Sequence, residues 1–206
     1  MKKFELIINK DQPITAISIV DAPAVEENFI CLNKQNQEIK LSIDEQRIIT
    51  GPALIPDKLI YRNSEFSLGE CEVFFSAETI REASKLFLSG NNVHNTTIQH
   101  EIPTEKLDLA ESWVILDKDY DKAKALGFDL PVGTWMVSYY VPDVDLWNSI
   151  KAGNFNGFSI ESSFSSVEIL QSENKQQQQQ QELLSKQEKL EAIEYLKTKI
   201  VKQKIK

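Results

Sequence analysis

A chain of 206 residues with 41% hydrophobic content is long enough for one domain with a core of its own plus an appendage. Its 31 acidic residues against 23 basic ones leave a formal charge of -8, and no basic stripe interleaved with aromatics occurs in the first 170 positions, which argues against a nucleic-acid partner. Two cysteines, Cys31 and Cys71, make no disulfide framework, and no run approaches the roughly 18 apolar residues that cross a bilayer, so a soluble protein of the reducing cytoplasm is expected.

Lys2 and Lys3 resemble the start of a signal peptide, but Glu5 and Lys10 interrupt any apolar core behind them. Residues 4–8 and 14–20 are β-branched, apolar runs on either side of the turn-like cluster 9–13, and read as two strands. Shorter strands are expected at 29–33 and 39–42. Residues 47–50 lead as a strand into Gly51-Pro52, and Leu54-Ile55-Pro56 stays extended because a residue before proline is pushed away from the helical region. So much β structure ahead of any helix points to a barrel or a strongly bent sheet.

Val73-Phe74-Phe75 is a further strand, after which Ser76 caps a helix. Its Ile80, Ala83, Ser84, Phe87 and Leu88 recur at helical spacing, and Gly90-Asn91 stops it. Beyond lie the strand-like run Thr96-Thr97-Ile98-Gln99, a strand at 113–116, and a charged loop or short helix from Asp117. The clearest strand is 133–141, where Trp135, Val137, Tyr139 and Val141 alternate with Thr134, Met136, Ser138 and Tyr140 as if one face lay in the core. A helix at 143–152, with Val144, Trp147 and Ile150 on one side, ends at Gly153, and residues 155–164 form the last strand. The three tryptophans, Trp113, Trp135 and Trp147, fall within periodic apolar patterns and read as core anchors. Composition then changes, so three segments are expected: a domain over 1–170, a Gln-rich linker over 171–182, and a helical tail over 183–206. Leu190, Ile193, Leu196 and Ile200 give that tail a narrow apolar stripe, and its charge is basic where the rest is acidic. It fits a solvated helix or a coiled-coil or scaffold segment.

Gly157-Phe158-Ser159-Ile160-Glu161 carries a hydroxyl in the middle of an apolar strand pattern. A serine needs a neighbouring base to become a nucleophile, and histidine is the usual one. Of only two histidines, His100 ends a strand-like run directly before Glu101, which suits a base at the mouth of a sheet. Ser159 and His100 are therefore expected to meet, although the pattern alone also fits an ordinary strand serine. His94 and His100 with Cys31 and Cys71 match no familiar zinc-ligand spacing, no phosphate-binding glycine loop is present, and neither metal nor cofactor is expected.

Several ordered segments carry a resemblance. They are Thr50-Gly51-Pro52-Ala53-Leu54-Ile55-Pro56-Asp57-Lys58-Leu59-Ile60-Tyr61-Arg62; His94-Asn95 with Gln99-His100-Glu101; Glu111-Ser112-Trp113-Val114-Ile115; Leu126-Gly127 through Pro131-Val132-Gly133-Thr134-Trp135-Met136-Val137-Ser138; and Trp147, Ile150-Lys151-Ala152-Gly153 and Gly157-Phe158-Ser159-Ile160-Glu161. Together they span roughly residues 15 to 165 and resemble the XkdF-type prohead serine proteases of tailed phages, relatives of the herpesvirus assemblins.

The resemblance implies an α+β fold: a β-rich, assemblin-like barrel with surrounding helices, followed by the helical tail. It also implies Ser159 as nucleophile and His100 as general base, in an acyl-transfer hydrolysis of peptide bonds. The group that orients His100 is open between Glu161, two residues from Ser159 on the same strand face, and Glu111 of the Glu-Ser-Trp segment. Assemblins use a second histidine there, and only a folded-back His94 could supply one. Backbone amides of Gly153 or Gly157 are candidate oxyanion donors. The implied substrates are scaffold and major capsid protein, cut inside the assembling prohead in the host cytoplasm. Self-cleavage and a homo-oligomer are further implied relations, with no nucleic acid and no membrane. The alternative is a non-catalytic assembly or scaffold protein that keeps the protease fold.

Overall fold

The computed structural model describes residues 1–33 and 45–168. Strands β1 (Lys2–Ile7) and β2 (Ile14–Val20) are the two expected apolar runs. The turn between them is held by the Asn9 side chain, which accepts from the amides of Asp11 and Gln12 at 2.9 and 3.0 Å. Strand β3 (Ile30–Asn33) follows, whereas the expected strand at 39–42 and the whole of 169–206, with its linker and tail, lie outside the described residues.

Strand β4 (Glu45–Leu54) runs straight through Gly51-Pro52. Proline is tolerated because β3 pairs with β4 only from Thr50 back to Glu45, so the missing amide hydrogen falls beyond that ladder. Gly51 is required by close approach, since a Cβ there would lie 2.8 Å from the Cα of Phe29. Two short strands, β5 (Ile60–Arg62) and β6 (Cys71–Phe74), lead to helix α1 (Ala77–Ser89). Ser76 caps α1 by accepting from the Thr79 amide at 3.3 Å. Its buried face is Ile80, Ala83, Leu86 and Phe87, while Leu88, expected on that face, is exposed.

The chain continues through a 3-10 turn (Asn92–His94), β7 (Thr96–Ile98), β8 (Ile102–Thr104), β9 (Asp108–Val114), α2 (Lys122–Ala125), β10 (Trp135–Tyr140), α3 (Val144–Lys151), β11 (Gly157–Ser162) and β12 (Ser165–Glu168). The strand expected at 113–116 thus starts five residues earlier and ends at Val114. The strand expected at 155–164 is β11, and a further strand that was not expected, β12, follows it in a different sheet.

The protein is a β-rich α+β fold. Its described strands form three four-stranded sheets ordered β12-β1-β6-β5, β3-β4-β10-β9 and β11-β2-β7-β8. The expected closed barrel does not appear among the described residues: the chain switches sheets at Ser163-Phe164, leaving β11 and β12 as edges of separate sheets. Among the described residues, only β1–β6 and β2–β7 pair in parallel. Among the described residues, no helix is long and apolar enough to cross a membrane.

The main core gathers Leu6, Ile17, Ile19, Phe87, Trp135, Trp147 and Phe158. A smaller core around Val25, Ile55, Ile115, Phe128, Leu130 and Met136 covers the other face of β10. The expectation of one buried face on β10 is therefore corrected. Thr134, Met136 and Ser138 are as inaccessible as Trp135, Val137 and Tyr139, because α2 and the segment after it cover the second face.

Candidate active site

Register places the hydroxyls. Strand β11 pairs antiparallel with β2 so that Ser159 faces Ser18 and Glu161 faces Ala16, and β2 pairs in parallel with β7 so that Ser18 faces Thr97. Because side chains alternate across a strand, Ser159, Ser18 and Thr97 form one row on one face, with Glu161 and Ala16 beside it. The opposite face carries Phe158, Ile17 and Ile19 into the core, which fixes which way the polar row points.

His100 reaches this face through a turn just beyond β7. Gln99 and His100 both take left-handed backbone conformations, at φ 53° and 61°, unusual for residues with side chains. Three bonds fasten the turn to β2: Gln99 N–H donates to Ile19 O at 3.0 Å, His100 N–H to Ser18 Oγ at 3.0 Å, and Asp21 N–H to the Gln99 side-chain oxygen at 3.3 Å. The imidazole then meets Glu161, with Nδ1 donating to Oε1 at 3.2 Å. Thr97 Oγ1 donates to the same carboxylate oxygen. The pair is partly open to solvent, with the side chains of His100 and Glu161 42% and 27% exposed. A proton on Nδ1 leaves the Nε2 lone pair free to accept one, which is the tautomer a general base needs. Ser159 is half-buried, and its hydroxyl makes no hydrogen bond to the described residues, His100 included.

Glu111 is not brought to His100. It stands on β9, in a different sheet, where Oε2 accepts from Lys122 Nζ and from Ser138 Oγ, the latter at 3.1 Å. The hydrogen bond from Lys122 holds its carboxyl below the usual glutamate range. Of the two glycines considered as oxyanion donors, Gly153 has its amide engaged with Ile150 O at 2.9 Å at the end of α3. Gly157 is explained by packing, since a Cβ would lie 2.4 Å from Pro23 Cγ.

Beside the His100–Glu161 pair lies an open groove of about 650 Å³, lined among others by Thr15, His94, Thr97, Thr104, Glu105 and Glu161. His94 thus borders the site from the groove, with no hydrogen bond to His100 among the described residues. Two neighbours escaped sequence reasoning, Ser18 and Thr97. Both sit inside apolar or β-branched strand runs, and only the pairing register, which no local pattern reveals, puts them under the histidine.

A family model described as "Putative phage serine protease XkdF" matches residues 35–168. No curated protein and no solved structure matches the chain.

Proposed function

The chain belongs to the XkdF family of phage serine proteases, and from that premise we propose that it is a serine endopeptidase that cleaves scaffold and capsid precursor during prohead maturation. The observation that carries the reading is the bond from His100 Nδ1 to Glu161 Oε1 on the sheet face that bears Ser159.

In this reading Ser159 Oγ attacks the peptide carbonyl carbon while His100 Nε2 takes its proton. The imidazolium formed is held by Glu161, and returns the proton to the departing amine as the tetrahedral intermediate collapses to an acyl-enzyme. Water, deprotonated by the same nitrogen, then releases the acid. That Ser159 and His100 are not hydrogen-bonded among the described residues suits a free enzyme, because catalytic hydrogen bonds commonly tighten only with substrate in place. Glu161 is the orienting carboxylate, and Glu111 has no part in the chemistry. Substrate meets the enzyme within the prohead, in the host cytoplasm, and residues 183–206 serve placement there.

The test is mass spectrometry of the capsid precursor co-expressed with the chain, or with its Ser159→Ala, His100→Ala and doubly substituted forms. Each single change should abolish cleavage, and the double change should cost little more than one, as expected of residues acting as a unit. Continued cleavage by Ser159→Ala would favour the alternative, a non-catalytic assembly protein that retains the fold.

A further inference from the structure

We infer that Ser18 is a positioning residue of the reaction: its buried hydroxyl holds the left-handed backbone of His100 in the one arrangement that sets the imidazole against Glu161. This rests on the protease reading of the site.

Ser18 is fully buried in the middle of β2, where every other buried position is apolar and a valine or isoleucine would be the ordinary choice. A buried hydroxyl must be bonded, and this one is used in both directions. It donates toward the carbonyls of Ile19 and Thr97, each at 3.3 Å, and accepts from the amide of His100 at 3.0 Å. The amide is the informative partner. His100 has already turned out of the β7 ladder, so its N–H has no strand partner and would otherwise be orphaned. A residue with a side chain also resists the left-handed region unless its surroundings dictate it. Ser18 supplies that constraint from directly beneath. Its register partner on the other side is Ser159, so one side chain sits between the nucleophile's strand and the base's turn.

The probe is a fluorophosphonate, which reports the reactivity of Ser159 without needing the natural substrate. Ser159 Oγ bonds to phosphorus, fluoride leaves with the bonding pair, and the hydroxyl proton passes to His100 Nε2. Ser18→Ala should slow labelling about tenfold to a hundredfold, the range that small misplacements of a catalytic group cost. Ser18→Cys, which keeps the site filled but accepts weakly, should fall between. In a His100→Ala background the same changes should alter the residual rate by less than about twofold, because the ring they position is gone. Nitrogen-15 spectra of the His100 ring should move from a single Nδ1-protonated tautomer to a mixture in Ser18→Ala.

Wild-type labelling in Ser18→Ala, or an equal loss in both backgrounds, overturns the inference. If Ser18→Ala does not fold by circular dichroism, Ser18→Cys decides by the same two-background comparison. A wild-type chain that never labels at Ser159 overturns the protease reading and this inference with it, whereas a labelled chain indifferent to Ser18 overturns the inference alone.

Discussion

Two sheets of this protein carry the same grammar, a cross-strand row of hydroxyls next to a glutamate, with opposite outcomes. On β4-β10-β9 the row is Thr50, Ser138 and Glu111. Ser138 Oγ lies 2.8 Å from Thr50 Oγ1 and 3.1 Å from Glu111 Oε2, both hydroxyls are fully buried, and the carboxylate is engaged by Lys122. On β11-β2-β7 the row is Ser159, Ser18 and Thr97, and its glutamate, Glu161, holds a histidine. There the middle hydroxyl is spent on the backbone, and the outer one, Ser159, is left half-buried with no bond to the described residues. A satisfied network rigidifies and has nothing left to give. Chemistry needs a hydroxyl that is held in place but unspent, and a base that can change its charge.

The comparison breaks most visibly if the two glutamates exchange roles. Glu161→Gln should lower the rate of precursor cleavage, or of Ser159 labelling, by on the order of 10² or more, because the amide no longer fixes the base tautomer or balances the imidazolium. Glu111→Gln should leave that rate within about twofold of wild type, being a surface change remote from the reacting atoms. A larger loss in Glu111→Gln than in Glu161→Gln would sink the assignment.

Much of this frame was legible in the residues. The β-branched, apolar run at 14–20 matches β2 and the Ser76 cap starts α1, since both are local signals. The strands that went unread, β5, β8 and β12, are three or four residues long and too short for any period to register. The split between β11 and β12 has no glycine or proline to announce it. It is made by tertiary contacts, with Phe164 packing on Phe75 at 5.6 Å and Ser162 Oγ donating to Pro13 O at 2.8 Å. At the site, Glu161 was in view because it shares a strand face with Ser159, yet Glu111 looked equally able on residue type. Only sheet membership separates them. Ser18 carried no signal at all, being one serine in an apolar strand whose meaning comes from a turn 82 residues away.

The serines sharpen the contrast on a smaller scale. Ser138→Ala should destabilise the fold by about 1–3 kcal/mol, since it strands the buried Thr50 hydroxyl and removes one donor from Glu111. Ser159→Ala should shift stability by less than about 0.5 kcal/mol, because no bond within the described residues is lost. Urea midpoints of the two variants measure the difference. A Ser159→Ala loss as large as that of Ser138→Ala would mean that Ser159 is a structural hydroxyl after all.

The smallest effect concerns acid. The hydrogen bond from Lys122, aided by its charge and by Ser138, holds the Glu111 carboxyl below its ordinary value against the opposing pull of burial. A group whose folded pKa is depressed stabilises the fold fully above its unfolded value, roughly 4.3 for glutamate, and loses that contribution as pH falls through the folded value. With the two side chains 45% and 47% exposed, solvent screening limits the contribution to under about 1 kcal/mol at neutral pH. Wild type should therefore exceed Glu111→Gln slightly in urea midpoint at pH 7, and the gap should close as pH drops from about 4.3 toward 3. A gap that stayed constant through that range would mean that the difference between the two side chains arises from packing, and that Lys122 contributes no charge-dependent stability to this row.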